Sequence, residues 1–299
     1  MEEKLHRILE ERQRSFVSGE AIEGAWGAGY RLKDTPDQVS EVDLRARLRP
    51  DGPWAAFVLL DVTDSTNRVA MEMAESGAPH GTVVIADVQT DGRGRLGRRW
   101  VSPGGKNLYV SLLLRPSVPT VDAPRLALVA GVALADAVEA IGVPAFLKWP
   151  NDLYCGGRKA AGILAEMASG PGGVRHVVIG IGLNVNMEEA DFPPDLRDAA
   201  TSLRIRAGRV FRRVDVLARL LDAFGTRYEE FLAGGFASLR DGWDRRDFLR
   251  GRRVLLRRQG GEGWGTTDGL DAVGALRFLP DGGLTIEMVH SGEILDFLR

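Results

Sequence analysis

Gln89-Thr90-Asp91-Gly92-Arg93-Gly94-Arg95-Leu96-Gly97-Arg98-Arg99-Trp100 follows the apolar run Thr82–Val88, and its reading decides the fold class. Gly92, Gly94 and Gly97 satisfy G-x-G-x-x-G after a strand, the spacing of a dinucleotide-binding turn. That turn must open a helix. Here the chain runs on through Arg98-Arg99-Trp100 into Ser102-Pro103-Gly104-Gly105, which cannot be a helix interior, so a dinucleotide fold is excluded. What remains is a glycine-rich loop carrying Arg93, Arg95, Arg98 and Arg99. Arginine's planar fork pairs bidentately with carboxylate or phosphate, so the loop is built to close on an anion; a solvated basic turn is the plainer alternative. Its glycines and like charges give it little reason to order alone.

Around this loop, Phe57–Leu60, Thr82–Val88 and Leu108–Leu114 read as buried strands, Ala145–Trp149 as a short strand and Val174–Val185 as a further one. Arg125–Ile141 reads as a helix. Val214–Leu232 is a second, with Leu217, Leu220, Leu221, Phe224 and Phe231 on one side. The interleaving predicts an α+β fold with a central mixed β-sheet. After Arg250 the apolar runs shorten and are broken by Gly-Gly, Asp-Gly and Pro-Asp-Gly-Gly, the pattern of a small all-β barrel with tight turns. Pro50-Asp51-Gly52-Pro53 marks a boundary on the N-terminal side. Before it, Leu5, Ile8 and Leu9 suggest one helix, and Ser18-Gly19-Glu20 offers the start of a short second one.

Composition narrows the function classes. The 299 residues suit two or three modules, and 39 Lys plus Arg against 41 Asp plus Glu give no global field for nucleic acid or an acidic membrane. Attraction to phosphate must be local. Cys155 is the sole cysteine, which excludes an internal disulfide, fits a reducing compartment and reads as a small buried hydrophobe. Residues 1–14 alternate charges without a signal-peptide core, and the longest apolar stretch, Leu126–Ala135, falls short of the roughly 20 residues a membrane span needs. A cytoplasmic enzyme is expected.

Four further segments carry chemistry. Phe146-Leu147-Lys148-Trp149-Pro150-Asn151-Asp152 gathers a lysine, an amide and a carboxylate where a strand leaves the sheet, and Pro150 stiffens that exit. Lys148 could stabilise charge on a phosphoryl transition state, or be a surface lysine with an aspartate partner. In Arg158–Glu166, the small residues Ala160–Gly162 permit close backbone approach. In Gly180-Ile181-Gly182-Leu183-Asn184-Val185-Asn186 the two asparagines punctuate an apolar strand on the same face, or cap a turn. Asp64-Ser65-Thr66-Asn67 is an N-cap cluster whose free amides can also receive an anion or a polar ligand edge.

In this order and spacing, Ser65-Thr66-Asn67, Gln89, Gly92–Arg98, Lys148–Asp152, Arg158–Glu166 and Gly180–Asn186 closely resemble the biotin protein ligase family. The resemblance runs from about Phe57 to the C-terminus, where Gly269-Leu270-Asp271, Gly274-Ala275-Leu276 and Ser291-Gly292-Glu293 look like the family's C-terminal barrel. It implies a class II synthetase-like catalytic domain over 50–250 and a small SH3-like β-barrel over 251–299. The implied activity joins biotin to AMP with ATP and Mg²⁺, whose protein ligands stay unassigned, and passes the biotinyl group to a lysine of a biotin carboxyl carrier protein. Ser65, Thr66, Asn67 and Gln89 would bond the ureido ring and Trp100 would cover it. Gly92, Arg93, Gly94 and Arg95 would fold over the ligand, with Arg93 and Lys148 at the reacting carboxyl and phosphate. Arg98, Asn151, Asp152, Lys159 and Asn184 would join Arg93, Arg95 and Lys148 on the nucleotide side, and Met187–Leu203 would cover the adenine. A lipoate ligase and a biotin-responsive repressor are the alternatives, and family members often pair as homodimers.

The N-terminus departs from the pattern. Phe16–Ile22 and Gly27–Leu32 look like the second-helix start and the wing of a winged helix, making residues 1–49 its remnant. Only Glu23–Trp26 lie between them, and four residues span about 6 Å of helix, too little to read a major groove. No operator DNA binding is expected.

Overall fold

Val83 and Ile85 pack into one apolar layer and their neighbours Val84 and Ala86 into another, while Leu112 and Leu114 alternate with Leu113 in the same way. Side chains of period two with both sets buried require a sheet covered on both faces. The computed structural model describes residues 21–25, 29–34 and 37–298, with side chains from 37 onward, and contains that sheet. Strands β1 (Ala21–Ala25) and β2 (Gly29–Asp34) form a separate antiparallel hairpin, followed by helix α1 (Glu41–Arg45). The large sheet comprises β3 (Ala56–Thr63), β4 (Thr82–Gln89), β5 (Leu108–Leu114), β6 (Phe146–Lys148), β7 (Asp152–Cys155), β8 (Arg158–Gly170) and β9 (Gly173–Leu183). Its order is β3-β4-β5-β9-β8-β7-β6, with β3 and β4 parallel and the other neighbours antiparallel.

Helix α2 (Thr66–Glu75) connects the parallel pair and buries Val69, Ala70, Met73 and Ala74 against one face. On the other face lie α3 (Leu126–Glu139), apolar almost all round, and, beyond a short α4 (Leu203–Ala207), the long α5 (Arg213–Gly234), which packs on α3. Leu217, Leu220, Leu221, Phe224 and Phe231 are its buried stripe, as their spacing requires. A last short helix, α6 (Arg240–Asp244), precedes β10 (Arg253–Arg258), β11 (Gly261–Leu270), β12 (Leu276–Pro280), β13 (Glu287–Val289) and β14 (Gly292–Phe297). These form a five-stranded antiparallel sheet in the order β13-β12-β11-β10-β14, with Val254, Leu256, Leu276 and Phe278 joining the main core.

Several expectations change. The first N-terminal helix lies outside the described residues. Where a second helix was to follow Ser18-Gly19-Glu20, Ala21–Ala25 is a strand instead, because its backbone pairs with Gly29–Asp34. Residues 37–49, expected to belong with the N-terminal unit, are packed into the core. Leu44 is fully buried, and Asp37 accepts from Arg213 N at 2.8 Å and Nε at 3.1 Å, because the buried Arg213 guanidinium needs a counter-charge. The β7–β8 hairpin, turning on Gly156-Gly157, adds two strands to those expected from the sequence. Among the described residues no helix is long and apolar enough to cross a membrane.

Candidate active site

Because β3 and β4 run parallel with Thr63 opposite Gln89, both strands end at the same edge of the sheet, and α2 starts beside them. Ser65 occupies the N-cap position, yet its side chain makes no capping bond and stays buried. Gln89 does the ordering instead: its Oε1 accepts from Thr66 N at 2.9 Å and Thr66 Oγ1 at 3.1 Å, while Nε2 donates to Ser102 Oγ at 3.2 Å. Asn67 is fully engaged elsewhere. Its Nδ2 donates to Glu166 Oε2 at 2.8 Å, and its Oδ1 lies 2.7 Å from the Ser111 hydroxyl. Asn67 also presses on Gly180, where a Cβ would overlap its amide.

The pairing of β8 with β9 sets Gly162 directly opposite Gly182. The Trp100 indole lies over both: a Cβ at Gly182 would stand 2.5 Å from its Nε1, and one at Gly162 would stand 3.2 Å from its ring. The indole N–H is buried with no hydrogen-bond partner among the described residues. Lys159 sits over the ring at 5.5 Å and also pairs with Asp152 at 2.6 Å.

The arginine loop folds as a hairpin. Trp100 N donates to Gly92 O at 2.8 Å, Gly94 N donates to Arg98 O at 2.7 Å, and Arg93 bridges Arg99. Its tip, Leu96, has φ +56°, the one left-handed non-glycine residue among those described. The missing counter-charge comes from the C-terminal sheet. Arg98 pairs with Glu293, and Arg95 donates to Gly292 O at 3.2 Å and to Asn151 Oδ1 at 3.3 Å. Arg93 points the other way, its guanidinium 3.8 Å from Glu166.

Lys148 stands opposite Asp152 in the β6–β7 register, 5.5 Å from the rings of Tyr154 and Phe297. Burial lowers its pKa, and the Asp152 carboxylate only partly restores it. Burial likewise lowers the pKa of Arg95, opposed by Asp152 and Glu293. Positive charge is therefore held here at a cost that an arriving anion would relieve. Cys155, by contrast, is a buried thiol pushed up to about 12, inert as expected.

Ser65, Thr66, Asn67, Gln89, Arg93, Gly94, Arg95, Arg98, Trp100, Lys148, Asn151, Asp152, Lys159 and Asn184 all line one cavity of about 260 Å³. Gly92 does not. A Cβ there would meet Trp100 O at 2.5 Å and Ser102 Oγ at 2.7 Å, so this glycine closes the hairpin rather than touching the cavity. Asn184 and Asn186 lie just past the end of β9 rather than within it. Asn184 donates to Thr201 O at 3.1 Å, tying down the segment whose Met187, Phe192 and Leu196 roof the cavity. Asn186 holds Phe211 by its N and O, a structural tie.

Residues 59–184 match the Biotin/lipoate A/B protein ligase family. The bifunctional ligase/repressor BirA of Bacillus subtilis is 38% identical over 277 residues, 92% of this chain and 85% of that protein. The chain belongs to the biotin protein ligase family. The biotin–[acetyl-CoA-carboxylase] ligase of Paracoccus denitrificans is 36% identical over 73% of this chain and 92% of its own. Among solved structures, the biotin protein ligase from Aquifex aeolicus in complex with biotin and ATP superposes with a TM-score of 0.71 at 32% identity, covering 82% of this chain and all of that one.

The sequence assigns no role to Ser102, Ser111, Glu166 and Glu293, which hold Gln89, Asn67 and Arg98 in place, although Glu166 and Glu293 lie within matched segments. The signal available was Ser291-Gly292-Glu293, noted only as part of the C-terminal unit. The Trp100 packing has a measurable consequence. Gly182→Ala should destabilise the protein by about 1–3 kcal/mol through overpacking, read by urea unfolding. The same substitution in a Trp100→Ala background should cost almost nothing, and an equal cost in both backgrounds would show that the indole is not what the methyl meets.

Proposed function

We propose that the protein is an ATP-dependent biotin protein ligase. In the first step a biotin carboxylate oxygen attacks the α-phosphorus of ATP, forming the acyl–phosphate bond of biotinyl-5′-AMP and releasing pyrophosphate. In the second, the neutral ε-amine of a lysine on a biotin carboxyl carrier protein attacks the acyl carbon, forming an amide and releasing AMP. The observation that carries this reading is the convergence of Lys148 and the arginine hairpin on one cavity whose far end is polar and whose middle is an indole face.

The residues divide by chemistry. At the polar end, the uncapped Ser65 hydroxyl and the Gln89 amide face a ureido group, which unpaired in a dry site would cost about 2–7 kcal/mol. Thr66 orders Gln89, and Asn67 acts at one remove by fixing Ser111 and Glu166. Trp100 covers the bicyclic ring. Lys148 and Arg95 balance the charge that accumulates on carboxylate and α-phosphate, and Arg93 joins them by leaving Glu166; positioning and electrostatics then carry the acceleration without a covalent enzyme intermediate. Gly94 lets the hairpin backbone approach the ligand, and Arg98 holds the hairpin shut through Glu293. Asn151, Asp152, Lys159 and Asn184 border the nucleotide side. Mg²⁺ would arrive on the ATP phosphates, and Asp152, a cavity carboxylate paired with Lys159 at 2.6 Å, is the side chain that could exchange that partner for the ion, which commonly takes one or two protein carboxylates. When bound it would neutralise phosphate charge. The reducing cytoplasm suits this chemistry and the free Cys155.

Incubation with ATP and either biotin or lipoate, followed by mass spectrometry, should yield an acyl-AMP and pyrophosphate with biotin alone. Equal turnover of lipoate would favour the lipoate ligase reading, and biotin binding without pyrophosphate a sensor. Lys148 gives a pH test. Its burial-lowered pKa means that protonated Lys148 is lost at lower pH than an ordinary lysine, so the alkaline limb of kcat/KM for adenylate formation should move upward in Lys148→Arg. The stability sign is opposite to that of a paired lysine: the unfolded chain holds the proton more tightly, so the cost of burial is present below the folded pKa and fades as pH rises to the unfolded one. An unmoved alkaline limb would remove Lys148 from the charge-balancing role.

We also propose that the chain does not read operator DNA, since Ala21–Ala25 and Gly29–Asp34 form a hairpin with three residues between them. A gel-shift titration should show no specific, salt-tolerant complex with an operator-like palindrome; finding one would reverse this.

A further inference from the structure

A second cavity, of about 570 Å³, is lined in part by Phe248 and Phe297, whose rings meet Tyr154 and Lys148. Lys148, Asp152 and Tyr154 share one sheet face, because Lys148 is paired with Asp152 and Tyr154 lies two positions on. The Tyr154 ring packs on Phe248 at 4.8 Å, and Phe248 meets Phe297 edge-on at 5.3 Å. Lys148 lies 5.5 Å from the Phe297 ring centre and Arg252 lies 5.9 Å from the same centre, so the two cations flank one ring, one in each cavity. Arg158, Arg206 and Arg252 line the second cavity, with Glu189 its sole acid.

Glu189 is taken by Arg158, at 3.1 Å. Neither Arg206 nor Arg252 has a side-chain hydrogen bond or ion pair among the described residues; Arg252 rests on Phe248 at 4.3 Å. Arg206 is seated rather than loose. Its guanidinium lies over Gly156, where any Cβ would overlap it, so the glycine at this turn makes room for the cation. Guanidinium groups held around a concavity without counter-charge suit a compact, multiply charged anion with oxygens in several directions.

We infer that this cavity binds a diphosphate group: the pyrophosphate of the adenylation step, as the β,γ end of bound ATP or as the released product. The inference rests on the ligase reading for the source of the pyrophosphate, but not for the site itself. With the α-phosphate beside Lys148, the leaving group would lie on the side of the Phe297 ring, which Lys148 and Arg252 both contact. The Arg206 and Arg252 guanidiniums draw the diphosphate away from the carboxylate that attacks, and their positions set how tightly the product is retained.

The test titrates the whole protein with inorganic pyrophosphate by calorimetry and compares Arg206→Ala/Arg252→Ala with the corresponding double lysine variant. The alanine pair should weaken pyrophosphate binding at least tenfold, with the lysine pair between the two, and should weaken product inhibition of adenylate formation equally. A raised KM for ATP would assign the site to the bound nucleotide as well; an unchanged KM with weaker inhibition would assign it to the product alone. Gly156→Ala, which displaces Arg206, should reproduce part of the loss. Equal pyrophosphate affinity in wild type and in a folded alanine pair overturns the inference, as does a defect confined to the KM for the acceptor protein, which would make the cavity a docking site for an acidic protein surface. Arginine-dependent pyrophosphate binding by a protein that forms no biotinyl-AMP would keep this site and sink the ligase reading.

Discussion

Gly162 and Gly182 face each other across β8 and β9, and the indole of Trp100 lies on the two of them. That contact joins the sheet to the arginine hairpin, because Trp100 is the residue on which the hairpin closes, its N–H donating to Gly92 O. A methyl at Gly182 would overlap the indole, and one at Gly162 would crowd it. The seating of the ring on the sheet, and with it the indole face of the cavity, therefore depends on two missing methyl groups.

The electrostatics are local in a chain of nearly balanced composition. Arg93, Arg95, Arg98, Arg99, Lys148 and Lys159 border a cavity with Asp152 and Glu293 as its acids. Both carboxylates have partners already: Lys159 on Asp152, Arg98 and Arg257 on Glu293. The cavity's cations therefore outnumber its acids, and burial in addition lowers the pKa values of Lys148 and Arg95.

Much of this was legible in the sequence because strong local patterns produced it. The buried run Leu108–Leu114 matched its strand residue for residue, and the stripe from Leu217 to Phe231 faced the core as its spacing demanded. The site residues singled out by their motifs, Gly92 excepted, line one cavity. What escaped notice depended on pairing between distant segments. Glu166 matters because Asn67 and Arg93 both come to it, and Glu293 because the hairpin lies across it; neither fact has a local signature. The β7–β8 hairpin could have been found, since Gly156-Gly157 between short apolar stretches is a strong turn signal. The packing of residues 37–49 on the core is not visible in the sequence, because Asp37 is held by Arg213 and Leu44 joins a core built from distant segments.

The carboxylate of Glu293 is divided between two cations: one oxygen meets Arg98 and the other lies 3.2 Å from Arg257. Arg98 is largely exposed and Glu293 is not, so the acid would still have Arg257 as its partner if the Arg98 side chain were removed. The pairing that neutralises this interior carboxylate within the C-terminal sheet does not therefore depend on the hairpin laid across it.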